Sequence, residues 1–157
     1  RDRYHGNPLS HACVMRRVLE MDIPVVHAGI RSLCAEEYNL VNDRHLPVFW
    51  WHDLAADRGD DWLDRIVGRL GPRVYVSLDV DVLDPGLMPG TGTPEPGGLS
   101  WLAVTRLLRQ VCRRRVVVAA DIVETAPVPG MVVAEYTAAR LAAKLLTYHK
   151  CEGRKFS

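Results

Sequence analysis

The chain has 157 residues, 48% of them hydrophobic and 25% charged, the balance of a globular domain with a substantial core and not of a disordered or low-complexity segment. A formal net charge of +1 without a polybasic block, the densest run being RRR at 113–115, argues against nucleic acid or an anionic membrane as partner and leaves a small, locally steered ligand. The longest uninterrupted apolar stretch, VVVAA at 116–120, is far short of the ~18 residues a membrane span needs, and no signal-peptide pattern is visible at the start, so a cytoplasmic location is expected.

Ser10 is placed to cap a helix over 12–20, because its hydroxyl accepts from an orphan N–H of the first turn and Val14, Val18 and Leu19 recur at helical spacing. Residues 23–30, IPVVHAGI, read as a strand and 35–41 as a short helix. LPVFWW at 46–51 reads as a second strand, rich in aromatic and β-branched side chains. Asp60 opens a helix over 61–70 that Gly71 is expected to stop. RVYVSLD at 73–79 is a third strand. Residues 82–98 hold four prolines and five glycines, which makes them a long loop, and loops of that length in compact domains are commonly functional. Ser100 caps a helix over 101–111, 116–123 form a fourth strand, and 132–149 a long closing helix. Alternating helices and continuously apolar strands predict an α/β fold, a three-layer α/β/α arrangement with a mostly parallel sheet. No repeat or linker divides the chain, so 1–157 read as belonging to a single domain.

In such sheets ligands bind beyond the carboxyl ends of the strands. The third strand ends in SLDVDVLDP, 77–85, where Asp79 and Asp81 are two residues apart. On a strand such residues face the same way, with Cα atoms ~7 Å apart. Their repulsion is relieved by a proton or by a cation between them. The fourth strand ends in Asp121 and Glu124, and the first helix opens beside His11. Carboxylates with a histidine and no clustered thiolates suit divalent cations such as manganese or magnesium. Two other readings of D-x-D stay open on the residues alone. One aspartate is solvated while the other caps a turn, with Asp84-Pro85 starting a second turn; or the pair belongs to a phosphotransferase whose first aspartate is the nucleophile. Cys13, Cys34, Cys112 and Cys151 have neither C-x-x-C nor zinc-site spacing and are expected to be free thiols. His27, inside a strand, is expected in the core, and His45, His52 and His149 on the surface.

SLDVDVLDPGLMPGTGTPEPGG, 77–98, resembles the second metal-binding signature of the ureohydrolases, the arginase and agmatinase family, and its VLDPGLMPG portion suits a phosphotransferase badly. YHGNPLSHACVMRR, 4–17, is similar to the agmatinase segment carrying the catalytic histidine, and ADIVETAPVPG, 120–130, to the strand end carrying the substrate-binding glutamate. GIRS at 29–32 and AEYTAARLAAKLL at 134–146 also fit. PGTGTPEPGG and PLSH bring the resemblance closer to agmatinases than to arginases.

The resemblance implies an arginase-like fold and a hydrolase with two manganese ions. Asp79 would bridge both ions and Asp81 chelate one, the ions lowering the pKa of a water between them. Glu124 would hold a guanidinium. His11 would shuttle a proton to the departing amine, with His5 as its rival. The implied reaction is agmatine to putrescine and urea, a step of polyamine biosynthesis, with guanidinobutyrate and arginine as alternative substrates. Asp121 is expected to orient neighbours and Asp84 to fix the turn. Thr125-Ala126 departs from the usual residues before the proline, and Cys13 stands where many relatives carry threonine.

The family's other four metal ligands come from motifs of G-G-D-H and D-A-H-x-D type, which this sequence lacks, and relatives place L-R just after the second. A chain starting at Arg1 is therefore expected to be the carboxyl-terminal part of a longer enzyme, truncated at the N-terminus. By itself it should be inactive and inclined to poor solubility or association; a non-catalytic truncated relative is the alternative. Relatives form trimers or hexamers, so the complete protein is expected to be a homo-oligomer acting on a small guanidino substrate.

Overall fold

The computed structural model describes residues 1–57 and 59–153. Its elements are α1 (Val14–Glu20), β1 (His27–Ile30), α2 (Ala35–Asp43), β2 (Val48–Trp50), α3 (Trp51–Ala56), α4 (Asp61–Arg69), β3 (Arg73–Asp79), α5 (Trp101–Arg114), β4 (Val116–Val123) and α6 (Val133–Glu152), with short 3-10 turns at His11–Cys13 and Val80–Val82. Helix and strand alternate as the sequence predicts except that α4 follows α3 directly, and both strand pairings among the described residues are parallel.

β3 and β4 form where predicted and pair over their length, from Arg73 opposite Val116 to Asp79 opposite Val123, with one slip after Val74. The strands make two parallel pairs, β1–β2 and β3–β4, and no ladder joins the pairs among the described residues. Alternate residues of β3 choose its faces: Val74 and Leu78 are buried, whereas Tyr75 and Ser77 are exposed. The buried face meets one apolar cluster containing Trp62, Leu63, Ile66 and Val67 of α4, Val104, Leu108 and Val111 of α5, and Leu141 and Leu145 of α6. Ion pairs add cross-links on the outside, Arg106 to Asp60 and Arg114 to Asp64 between α5 and the start of α4, and Arg109 to Glu152 at 2.7 Å between α5 and α6.

Several boundaries differ from expectation for local reasons. The first helix begins as the 3-10 turn at His11–Cys13, capped by Ser10 Oγ accepting from Ala12 N–H at 3.4 Å, and turns α-helical at Val14. The strand expected over 23–30 is confined to His27–Ile30, because its partner strand among the described residues begins at Val48; the His27 N–H donates to the Pro47 carbonyl at the start of that pairing. The strand expected to reach residue 51 stops at Trp50, and WHDLAA coils into α3. α4 ends one residue early and without a left-handed glycine. Leu70 turns extended, and the Arg115 guanidinium donates to the carbonyls of Val67 at 2.6 Å and Leu70 at 3.1 Å. Carbonyls that a glycine motif would have satisfied are thus satisfied by a side chain. Ser100 caps α5 as expected, accepting from Ala103 N–H at 3.2 Å.

Candidate active site

β3 delivers Asp79 to the sheet edge, and the chain then tightens into a 3-10 turn instead of continuing extended. The turn is built on the acidic residue itself, since Asp79 Oδ1 accepts from Asp81 N–H at 3.1 Å. The capping function that an aspartate offers in any turn is therefore present here, and it leaves Asp79 with a second oxygen. Asp81 follows one residue into the turn, with Thr93 Oγ1 donating to its Oδ2 at 3.4 Å and an Arg31 Nη2–H donating to its carbonyl at 2.6 Å. Burial first, and then the negative charges of Asp81 and Glu124, push the Asp79 carboxyl up to about 6, against the opposing effect of the bond from Asp81 N–H.

β4 brings Glu124 to the same edge. Glu124 has φ +63°, a left-handed conformation that side chains bearing a Cβ adopt at a cost. Its neighbours hold it there: the Ala126 N–H donates to the Gly90 carbonyl at 2.8 Å. A Cβ on Gly90 would lie 2.3 Å from both the Ala126 carbonyl oxygen and the Ala134 Cβ, so only glycine lets the loop lie this close. Gly92, two residues on, sits beside the Glu124 carboxylate, its missing Cβ 3.9 Å from Oε2.

His11 Nδ1 lies 3.4 Å from Glu124 Oε1, with the imidazole two-thirds exposed and the carboxylate one-third. The Tyr4 ring meets His11 edge-on at 5.8 Å and 90°. His5, the rival candidate, is exposed at φ +48° and contacts Tyr4. The structure thus brings together His11, Glu124, Asp79 and Asp81. His27 is half-buried, and burial lowers its pKa. His45, His52 and His149 are exposed.

Asp121 lies behind this group. Its Oδ2 accepts from Tyr75 OH at 2.7 Å, and its buried Oδ1 has no hydrogen-bond partner among the described residues. Asp84 shapes the loop, its Oδ1 accepting from Gly86 N–H and its carbonyl from Leu87 and Met88. Cys13 is fully buried, its thiol donating weakly to the Asn7 carbonyl at 3.7 Å, a filling role. All four cysteines are free. Sequence reasoning assigned no role to Thr93 or Arg31; for Arg31 the only signal is its place straight after a strand, in GIRS.

Among the described residues no group of three or more His, Cys, Asp or Glu converges as a metal cage. The carboxylate oxygens of Asp79 and Asp81 nevertheless suit a hard divalent cation, which would offset both the burial of the Asp79 charge and its repulsion by Asp81 and Glu124. One groove is lined by Val48, Phe49, Leu54 and Arg65, and another by Arg31, Cys34, Tyr38, Trp50 and His52. No helix of the described residues is long and apolar enough to cross a membrane.

A model of the arginase family matches residues 1–149. An N(1)-aminopropylagmatine ureohydrolase of Synechocystis is 41% identical over 149 residues, which are 94% of this chain and 48% of that protein. An agmatinase of Pyrococcus horikoshii is 41% identical over 148 residues, 94% of this chain and 50% of that one. Among solved structures, the agmatine ureohydrolase of Thermoplasma volcanium superposes with a TM-score of 0.84 at 32% identity, covering 96% of this chain and 51% of its own. The chain spans about half the length of the curated relatives it matches.

Proposed function

The chain belongs to the arginase family, and from that membership we propose that the protein, as its gene encodes it, hydrolyses a guanidino compound to urea and an amine, with agmatine as substrate and putrescine as product. The observation that carries the reading is the approach of His11 to Glu124, 3.4 Å, on the sheet edge that also bears Asp79 and Asp81. Asp79 and Asp81 are two of the groups that would hold manganese, which when bound supplies the Lewis acidity that makes water nucleophilic at neutral pH.

The remaining work falls to side chains. A guanidinium stays protonated at any physiological pH, so the Glu124 carboxylate binds it by charge-assisted hydrogen bonds and orients its carbon towards the Asp79–Asp81 side. Water oxygen adds to that carbon, the bond from carbon to the substituted nitrogen breaks, and urea and the amine separate. The amine leaves only as it gains a proton. His11, beside Glu124 and open to solvent, is the group that delivers it, because an imidazole both takes and gives protons near neutral pH.

A longer substrate is the second reading. The name of the Synechocystis relative supports N(1)-aminopropylagmatine, which presents the same guanidinium on an extended amine. Urea release from agmatine, N(1)-aminopropylagmatine, guanidinobutyrate and arginine, measured with manganese on the protein as encoded, tests both. Release from agmatine with the highest kcat/KM supports the first reading, a preference for N(1)-aminopropylagmatine the second, and no urea from any of the four overturns both. The 157 residues alone, with Asp79 and Asp81 as their metal-facing carboxylates, are expected to release none.

A further inference from the structure

Arg31 stands where β1 runs out, and the end of β1 lies unusually close to the acidic turn. Gly29 has φ +85°, and a Cβ there would lie 2.4 Å from Val82 Cγ2. The ladder to β2 slips at the same residue, between Ala28 and Ile30. Glycine therefore supplies both the backbone conformation and the close approach that aim the next residues at the turn.

From that position the Arg31 guanidinium spans the loop. One Nη2 donates to the carbonyl oxygens of Asp81 at 2.6 Å and Glu95 at 2.8 Å, and Nε donates to the Glu95 carbonyl at 3.3 Å. Both acceptors are backbone atoms, one in the turn after β3 and the other far along the proline- and glycine-rich loop. Asp81 is thereby fixed at three atoms: its carbonyl by Arg31, its N–H by Asp79 Oδ1 and its Oδ2 by Thr93.

We propose that Arg31 is a positioning residue for the cation site, its planar fork clamping the two ends of the acidic loop so that the Asp81 carboxylate is presented in one orientation. The inference rests on the reading that Asp79 and Asp81 hold manganese. Charge and geometry make opposite demands here, which gives the proposal a sign. A guanidinium beside a cation site repels the cation, so by charge alone its removal strengthens binding. By positioning, its removal weakens binding, as loss of the groups that orient metal ligands does. Lysine keeps the charge and loses the fork.

The test is titration of manganese into the protein as its gene encodes it, free Mn2+ being followed by electron paramagnetic resonance, for wild type, Arg31→Lys and Arg31→Ala. Thermal melting of the metal-free proteins is recorded alongside. The expected result is a Kd raised ~10- to 100-fold in Arg31→Ala and by a smaller factor in Arg31→Lys, at a metal-free melting temperature that Arg31→Lys leaves near wild type. Unchanged or tighter manganese binding in both variants overturns the positioning role while leaving the metal reading intact. A wild type that binds no manganese overturns both. If Arg31→Ala does not fold, Arg31→Lys alone decides, since wild-type affinity in that variant overturns the proposal.

Discussion

Glu124 and Asp79 carry opposite demands on charge. At Glu124 the charge is what the proposed function uses: Glu124→Gln keeps the shape but turns charge-assisted bonds into neutral ones, a loss of ~1.5 to 3 kcal/mol, so kcat/KM for the guanidino substrate is expected to fall roughly ten- to hundredfold. Steady-state urea assays on the protein as encoded check this, with the KM rise expected to dominate. At Asp79 the charge is a burden to the metal-free fold. A carboxyl raised from 3.8 to about 6 binds its proton more tightly folded than unfolded, so stability is full below pH ~4, declines as pH rises to about 6, and stays low above. Asp79→Asn removes that decline. The metal-free variant should gain roughly 1 to 2 kcal/mol over wild type at pH 7.5, after allowance for solvent screening, and nothing at pH 4, in urea unfolding. Manganese added at pH 7.5 should reverse the order. The two aspartates were legible from their spacing at a strand end, although the strand stops at Asp79 and a 3-10 turn, not the pleat, carries Asp81. The meeting of His11 with Glu124 was legible only in part: the strand-end rule put both at one edge of the sheet, but no spacing rule connects an N-terminal turn with the end of β4, and their roles came from the family resemblance alone.

Secondary-structure elements whose signals are local and mutually consistent formed where the sequence placed them. β3, β4, α5 and α6 each combine a continuous or amphipathic apolar pattern with a clear boundary residue. α3 was hidden because Trp50 and Trp51 read alike on a propensity scale, and the parallel partner that ends β2 lies in another segment. The end of α4 was misread for a related reason: the group that closes it, Arg115, comes from a residue after α5. Replacing Arg115 by methionine keeps most of the side-chain bulk, takes the guanidinium donor from the Leu70 carbonyl and leaves the Val67 carbonyl with the Leu70 N–H alone. A loss of roughly 1 to 3 kcal/mol is expected in denaturant unfolding, and a change below a few tenths would contradict the capping role. Ser100→Ala should cost about 1 kcal/mol by the same measurement, through the first turn of α5.

Across the whole molecule, apolar side chains remain at the surface of several elements: Leu9 before α1, Met21 after it, Leu102 on α5, and Val132, Tyr136 and Leu146 at or on α6. The outer face of β3 adds Tyr75. Where such side chains adjoin they favour contact with another surface. The 157 residues alone should therefore associate at micromolar concentration, and a single species near 17.6 kDa in sedimentation velocity would contradict that. For the protein as encoded we propose a homo-oligomer, which the same measurement tests.

The left-handed backbone at Glu124 has a further consequence for anyone engineering this fold. Glycine at that position relieves a conformation costing ~1 to 2 kcal/mol, so selection for thermal tolerance favours Glu124→Gly while, on the proposed function, selection for urea production eliminates it. The position is a fork between two screens, and the direction a library drifts there reveals which one it has been put through.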